Sequence, residues 1–419
     1  DSMNYSPKQG VRSHGLPHDP FKSSTVPRPI GWISTVSKDG KDNLAPYSQY
    51  QNLTWDPPMV MFAANQSVLG DHERKDTVKN AEETGWFVWN MATYDLREAV
   101  NLSSKALPPE EDEFEYAGVT KEACIEAPGY RVKESPVHFE CEYVQTIRIP
   151  TGDPVSTVDI VIGRVAQVHI DDKVILDNGK LDIKSIKPIA RLGYYDYTVL
   201  IRGEDSMNYS PKQGVRSHGL PHDPFKSSTV PRPIGWISTV SKDGKDNLAP
   251  YSQYQNLTWD PPMVMFAANQ SVLGDHERKD TVKNAEETGW FVWNMATYDL
   301  REAVNLSSKA LPPEEDEFEY AGVTKEACIE APGYRVKESP VHFECEYVQT
   351  IRIPTGDPVS TVDIVIGRVA QVHIDDKVIL DNGKLDIKSI KPIARLGYYD
   401  YTVVNEIFEM KAPAASKEE

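Results

Sequence analysis

The chain repeats itself. Every residue of Asp1–Val199 reappears unchanged in Asp205–Val403, and only Leu200, Ile201, Arg202, Gly203 and Glu204 stand between the copies. A tail, Val404–Glu419, reading VNEIFEMKAPAASKEE, follows the second copy and has no counterpart after the first. Self-similarity of this kind sets the architecture before any other reading: two units of one fold rather than one large domain. Drifting repeats are not identical. That leaves two identical protomers of a homodimer joined in one chain, an engineered tandem, or a very recent duplication. The tail favours the first. Tyr401–Lys411 alternates like a strand, and the first copy would lose that strand after Val199. Five linking residues also span at most about 17 Å. The working unit is therefore taken as one copy that pairs with another, a homodimer-like arrangement, with boundaries at 1–199, 200–204 and 205–419.

A unit of roughly 200 residues buries an ample core without covalent staples. Hydrophobic residues make up 39% and charged residues 26%, ordinary values for a globular protein. The net charge of −18 argues against a nucleic-acid partner, because unselective phosphate-backbone binding needs a positive surface. A local pocket for one phosphate is compatible with it. Four cysteines, none in a C-x-x-C pair, fit reduced thiols and a cytoplasmic setting. No apolar run approaches about 18 residues, so no membrane span is expected, and the first residues lack a signal-peptide-like apolar segment.

Strand signals dominate each copy. Ile30–Val36 is β-branched and aromatic and runs into a Lys38-Asp-Gly-Lys41 turn. Met59–Ala64 is a short apolar run suited to a strand buried on both faces, and Trp86–Met91 is another. Val137–Ile149 alternates loosely. Val158–Ile170 is long, with Gly163 marking a bulge or bend. Helices are expected over Asp76–Thr84, capped by Asp or Thr and ended by Gly85, and from Asp95 to about Lys105, opened by the capping-box spacing of Asp95 and Glu98. Pro108–Glu113 reads as a charged surface loop. Strands outnumber helices and do not alternate strictly with them, which disfavours a doubly wound sheet and suits an antiparallel barrel with peripheral helices. Neither G-x-G-x-x-G nor G-x-x-x-x-G-K-[ST] occurs.

Two clusters carry candidate chemistry. Asn43–Pro58 (NLAPYSQYQNLTWDPP) gathers hydroxyls, amides and aromatic faces between two strands. It can present donors to a phosphate and a flat surface to a ring, and it equally suits a turn-rich connection. Arg74-Lys-Asp-Thr77 lies at a helix start, where free N–H groups and the dipole favour an anion. Simple capping with solvated basic residues explains it as well. His14 and His18 are interrupted by Gly15 and Pro17, His72 suits the surface, and His138 and His169 lie in strands as structural residues. No metal-ligand spacing and no nucleophile-elbow phrase occurs.

Pro27-Arg-Pro-Ile-Gly-Trp-Ile-Ser-Thr35, Asn43-Leu-Ala-Pro-Tyr-Ser48, Asp56-Pro-Pro58 and Lys75-Asp-Thr77, in this order, resemble the flavin reductase-like family. Ser135–Cys141, Gly163–His169 and Arg191-Leu-Gly193 continue the likeness, which covers nearly the whole unit from about Phe21. The resemblance implies a mainly β, Greek-key split barrel that dimerises and holds FMN non-covalently near the dimer interface. It implies hydride transfer from NAD(P)H, a transient co-substrate, to flavin, and an oxygenase or redox protein as partner. By motif, Ser48, Tyr50, Asn52 and Thr54 would lie along the flavin, and Lys75 and Thr77 would hold its phosphate. Arg28 would reach the phosphate or a ring oxygen, and Asn65 would face the ring edge. In the second copy these are Ser252, Tyr254, Asn256, Thr258, Lys279, Thr281, Arg232 and Asn269. No residue is assigned as a general base. An FMN-containing electron-transfer protein, a non-enzymatic flavin-binding module and a related split barrel acting on another substrate or cofactor stand as alternatives.

Overall fold

The computed structural model describes residues 2–67, 75–108, 110–152, 156–199, 207–271, 279–312, 314–356, 360–411 and 413. Its first unit contains strands β1 (Ser2–Tyr5), β2 (Arg28–Pro29), β3 (Gly31–Val36), β4 (Asp42–Tyr47), β5 (Tyr50–Trp55), β6 (Pro58–Ser67) and β7 (Trp86–Asn90). They are followed by β8 (Lys121–Ala123), β9 (Tyr130–Val132), β10 (Val137–Pro150), β11 (Ser156–Ile170), β12 (Ile189–Gly193) and β13 (Asp196–Val199). Helices α1 (Asp76–Thr84), α2 (Arg97–Leu102), α3 (Glu113–Ala117) and α4 (Ile183–Ile186) sit outside the sheet. The second unit repeats this plan.

The main sheet is antiparallel in the order β4-β3-β7-β10-β11-β6-β5. Its two end strands, β4 and β5, are joined by Ser48 and Gln49 alone. Two residues cannot cross the width of a flat sheet, since strands lie about 4.8 Å apart. The sheet is therefore rolled until its ends meet at that turn. The stretch that reads as a connection from its polar composition is thus two strands and a short turn. Pro46 is tolerated because β4 ends the path and needs no ladder donor there.

The doubly buried strands follow from the way the units pack. Val60, Phe62 and Ala64 point into their own unit's core, while Met59, Met61 and Ala63 point into a second core built from both copies. Along β11, Val161 and Val165 face their own core, and Val158, Ile160 and Ile162 face the shared one. Side chains alternate across a strand, so a strand with a core on each side must be apolar at every position. Each fully buried side chain of this size contributes roughly 1.5–3 kcal/mol relative to exposure, so the shared core ties the units firmly.

Exchange of chain segments adds to that tie. Ser2–Tyr5 pairs with Val372–Asp375 of the second unit, and Met207–Tyr209 pairs with Val168–Ile170 of the first. Phe21 packs on Phe343 and Phe225 on Phe139, with ring centroids 5.2 and 5.3 Å apart. The tail crosses too: Val404 is buried in the second unit's core, whereas Phe408–Glu409 pairs with Asp196–Tyr197 of the first unit. The expected single strand over Tyr401–Lys411 is thus two pieces, Asp400–Val403 and Phe408–Glu409. The first unit is not short of a strand, because the second copy's tail supplies one.

Local expectations are corrected in two places. Lys75, not Asp76 or Thr77, is the N-cap of α1, and no side chain caps that end; Gly85 closes the helix in the left-handed region as expected. The second helix is the shorter Arg97–Leu102 with Leu96 at its N-cap, because Tyr94 and Leu96 are held in turns instead of a capping box. Gly163 stands at a bulge, as expected. The extra residue, Val144, lies opposite on β10, and Gly163 is required because a Cβ there would stand 2.5 Å from the Phe87 ring.

Candidate functional site

Each unit turns a polar patch toward the seam. In β5 a bulge leaves Leu53 unpaired, because Asn52 stands opposite Val60 and Thr54 opposite Met59. Leu53 drops into the shared core, and Asn52, Thr54 and Trp55 line a cavity of about 380 Å³. Its remaining wall comes from the second unit: Lys226, Arg232, Ser252, Gln253, Asn269, Arg395, Gly397, Tyr398 and Tyr399. The site is therefore composite, with neither unit supplying it alone.

In a chain of net charge −18, this cavity is lined by three cations and no carboxylate. Arg232 is buried and donates to the carbonyls of Ser252 (3.2 Å), Lys226 (3.3 Å) and Thr229 (3.0 Å). Burial, and then the neighbouring Arg395 guanidinium, pull Arg232 down to about 9, still charged at neutral pH. Arg395 donates to Tyr401 Oη (2.9 Å) and to the Tyr398 carbonyl, while its buried Nε has no partner. The Lys226 ammonium stands 3.5 Å from the Trp55 ring centroid, and burial lowers it from its ordinary value against the pull of Asp223. Asn52 Oδ1 is buried without a donor. An unmet buried acceptor costs about 1–3 kcal/mol. The arrangement thus calls for a ligand with negative charge or acceptors facing the guanidinium and ammonium groups, and an N–H facing Asn52.

The repeat places the mirror set on the other side of the seam, where Lys22 stands 3.7 Å from the Trp259 ring centroid. Gly193 explains how Lys22 gets there. Its φ is +97°, and a Cβ at that point would lie 2.3 Å from the Lys22 carbonyl oxygen, so only glycine lets the arm pass.

The residues singled out in the sequence divide. Asn52 and Thr54 meet Arg232, Ser252 and Asn269 across the seam, so the single-copy grouping becomes a grouping between copies. By the repeat, Asn256 and Thr258 face Arg28, Ser48 and Asn65; Arg28 donates to the Ser48 carbonyl (3.2 Å) as Arg232 does to Ser252. Tyr50 and Tyr254 are not on the wall. Both are fully buried, stack on Trp89 and Trp293, and bond Thr229 and Thr25 of the opposite copy at 3.0 Å. Thr77 and Thr281 are buried, and their hydroxyls accept from Asn43 (2.9 Å) and Asn247 (2.8 Å). Lys75 and Lys279 lie 5.6 and 5.5 Å from the rings of Tyr47 and Tyr251, which line the neighbouring cavities with Ser48 and Ser252. His72 and Arg74 lie outside the described residues. His138 is buried against the Val132 carbonyl, and His169 joins Glu140 and Asn208. No cluster that could hold a metal occurs among the described residues.

Lys226, Gln253, Arg395, Tyr398 and Tyr399 were not singled out as site residues in the sequence. Two signals were available through first-copy equivalents: Arg191-Leu-Gly193 marks the position of Arg395, and the Asn43–Pro58 cluster contains Gln49, the equivalent of Gln253.

The fold and site define a class: a rolled antiparallel unit used in pairs, with composite, cation-lined pockets at the seam. Residues 23–190 and 227–400 each match the family model described as flavin reductase like domain. The chain belongs to that family. It is similar to an uncharacterized protein of Aquifex aeolicus, 36% identical over 172 residues, 41% of this chain and 84% of that protein. It is similar also to the uncharacterized protein YwrF of Bacillus subtilis, 32% identical over 183 residues, 43% and 87% of the two chains. Among solved structures it resembles nitrilotriacetate monooxygenase component B from Bacillus cereus, at 31% identity and a TM-score of 0.42 over 44% of this chain and 90% of that one.

Proposed function

We propose that each seam pocket binds FMN and that the protein transfers hydride from NAD(P)H to flavin. The observation that carries this reading is the acid-free pocket in which Arg395 Nε and Asn52 Oδ1 have no protein partners. An isoalloxazine edge offers carbonyl acceptors and a ring N–H, and so matches both needs. Bound FMN would supply the redox chemistry, accepting hydride from a reduced nicotinamide. Arg395 and Lys226 would hold negative charge at that edge. Asn52 would accept the ring N–H, and Ser252 and Thr54 would add hydroxyl contacts. Trp55 is 42% exposed and would offer an aromatic face beside the ring. Lys75 and Lys279, at the starts of nine-residue helices, are proposed for the phosphate side. Thr77 and Thr281 would support those helix starts through their bonds to Asn43 and Asn247. NAD(P)H would dock transiently over the open side, with an oxygenase or redox protein drawing off the reduced flavin in a cytoplasmic setting.

The test is the visible spectrum of the purified protein, then anaerobic NADH and NADPH. Flavin bands near roughly 370 and roughly 450 nm that bleach with either nucleotide support the reading and identify the donor. Bands that resist both donors leave an electron carrier or flavin-binding module. Failure of added FMN to bind refutes the site.

A further inference from the structure

The two units have the same sequence but not the same sheet. In the first, β2, β12 and β13 are joined by a fourth strand, Phe408–Glu409; in the second the corresponding sheet has three strands. The tail fits its groove closely. The Phe408 ring lies 5.4 Å edge-on from Tyr94 and 5.8 Å, stacked, from Tyr197. Met410 N donates to the Tyr195 carbonyl (2.7 Å), and Asn101 donates to the Lys411 carbonyl (2.8 Å).

The same surface on the second unit is open. Tyr401 is 42% exposed where its equivalent Tyr197 is 6% exposed. The groove along it has a volume of about 590 Å³, against about 220 Å³ where Met410 fills the first. Among the described residues nothing pairs with Asp400–Val403 on that edge. An unpaired edge beside apolar pockets is a template for strand addition.

We infer that the second unit's groove is a strand-docking site whose occupant is a second copy of the segment Asn405–Lys411. The warrant is internal, since an identical groove in the same molecule already holds that segment. Phe408 would sit between Tyr298 and Tyr401, and the Met410 N–H would meet the Tyr399 carbonyl. The inference does not depend on flavin binding, although the groove shares Ser252, Arg395 and Tyr399 with the seam pocket.

The experiment is a fluorescence-anisotropy titration of the full chain with a labelled peptide of sequence NEIFEMK. One peptide per chain is expected. The Phe408→Ala/Met410→Ala chain should bind two, because its own tail would release the first groove. Tyr401→Ala alters an already exposed wall and should bind none at the second groove while leaving the first strapped. Replacing the peptide's Phe by Ala should weaken binding by at least about tenfold, from the lost aromatic burial. No binding to the unaltered chain overturns the inference. So does full binding to the Tyr401→Ala chain, or equal binding of a scrambled peptide.

Discussion

Lys226→Gln tests the site reading inside one molecule. Lys226 stands over Trp55 in the cavity lined by the second unit's Arg395, and Lys22 holds the same place over Trp259. A hydrogen bond to a charged group is worth about 1.5–3 kcal/mol. At about 1.4 kcal/mol per tenfold, this is about ten- to a hundredfold in the FMN Kd. The ammonium is only half-buried, so solvent screening puts the expected loss near the lower end, about tenfold. Glutamine keeps some length and polarity, and losing the cation–π contact should cost about 0.5–1 kcal/mol of stability. The substitution touches one pocket only. A flavin-fluorescence titration should therefore split into two phases of equal amplitude, one unchanged and one about tenfold weaker. Lys22→Gln/Lys226→Gln should restore a single phase at the weaker value. An unsplit, unchanged isotherm from the single variant would refute the placement of Lys226 beside the ligand. Equal weakening of both phases would refute two independent pockets.

Three further outcomes follow from buried groups. Glu140 is buried; hydrogen bonds from His169 and the backbone N–H groups of Ile125, Ala127 and Glu126 outweigh burial and hold its carboxyl down at about 2, against an ordinary 4.5. Its contribution is complete above about pH 4.5 and is lost as pH falls toward 2. This is on the order of 3 kcal/mol per unit, so Glu140→Gln/Glu344→Gln should flatten the acid limb of a stability–pH curve. Gly163→Ala/Gly367→Ala drives a methyl into the Phe87 and Phe291 rings and should cost about 1–3 kcal/mol per site in urea unfolding. The Cys141 and Cys345 thiols are fully buried and pushed well up, and Cys124 and Cys328 are raised to about 12 by burial. With a thiolate fraction near one in ten thousand for Cys124 at about pH 8, the folded protein should react very slowly with a thiol reagent, and all four thiols should react promptly in denaturant.

The legible parts of the fold were those whose pattern has one physical cause. Met59–Ala64 is apolar throughout, and Ile160–Ile162 is apolar at every position, because these stretches carry a core on each side, and the apolar run reveals that without naming the second core. Asn43–Trp55 read as a connection because buried positions in it carry polar groups that find partners inside the protein, Asn43 on Thr77, Tyr50 on Thr229 and Gln51 on the Tyr254 carbonyl, so hydrophobicity does not alternate along it. The seam site was half legible. Asn52 and Thr54 were found with Ser48 and Arg28, but a repeat of identical copies cannot tell a partner in the same copy from its twin. The arm exchange was hidden for the same reason: Ser2–Tyr5 meets the same side chains whichever copy it joins. Lys22 had no signal at all, because its place depends on the arm's passage over Gly193.

Identity between the copies also turns asymmetry into a tool. Residues lining one seam pocket have the same types as those lining the other, so intrinsic chemistry cannot distinguish the two sites. What differs is the neighbouring groove. On the strapped side Tyr195 is 46% exposed and its carbonyl is bonded to the tail, whereas Tyr399 is 92% exposed on the open side. Tyr399 stands at the rim that the open groove and its pocket share, and Tyr195 is its equivalent in the first copy. Any difference in ligand affinity or nicotinamide access between the two sites of the unaltered chain therefore traces to residues outside the repeat, and among the described residues the tail is the one such segment seated beside that groove.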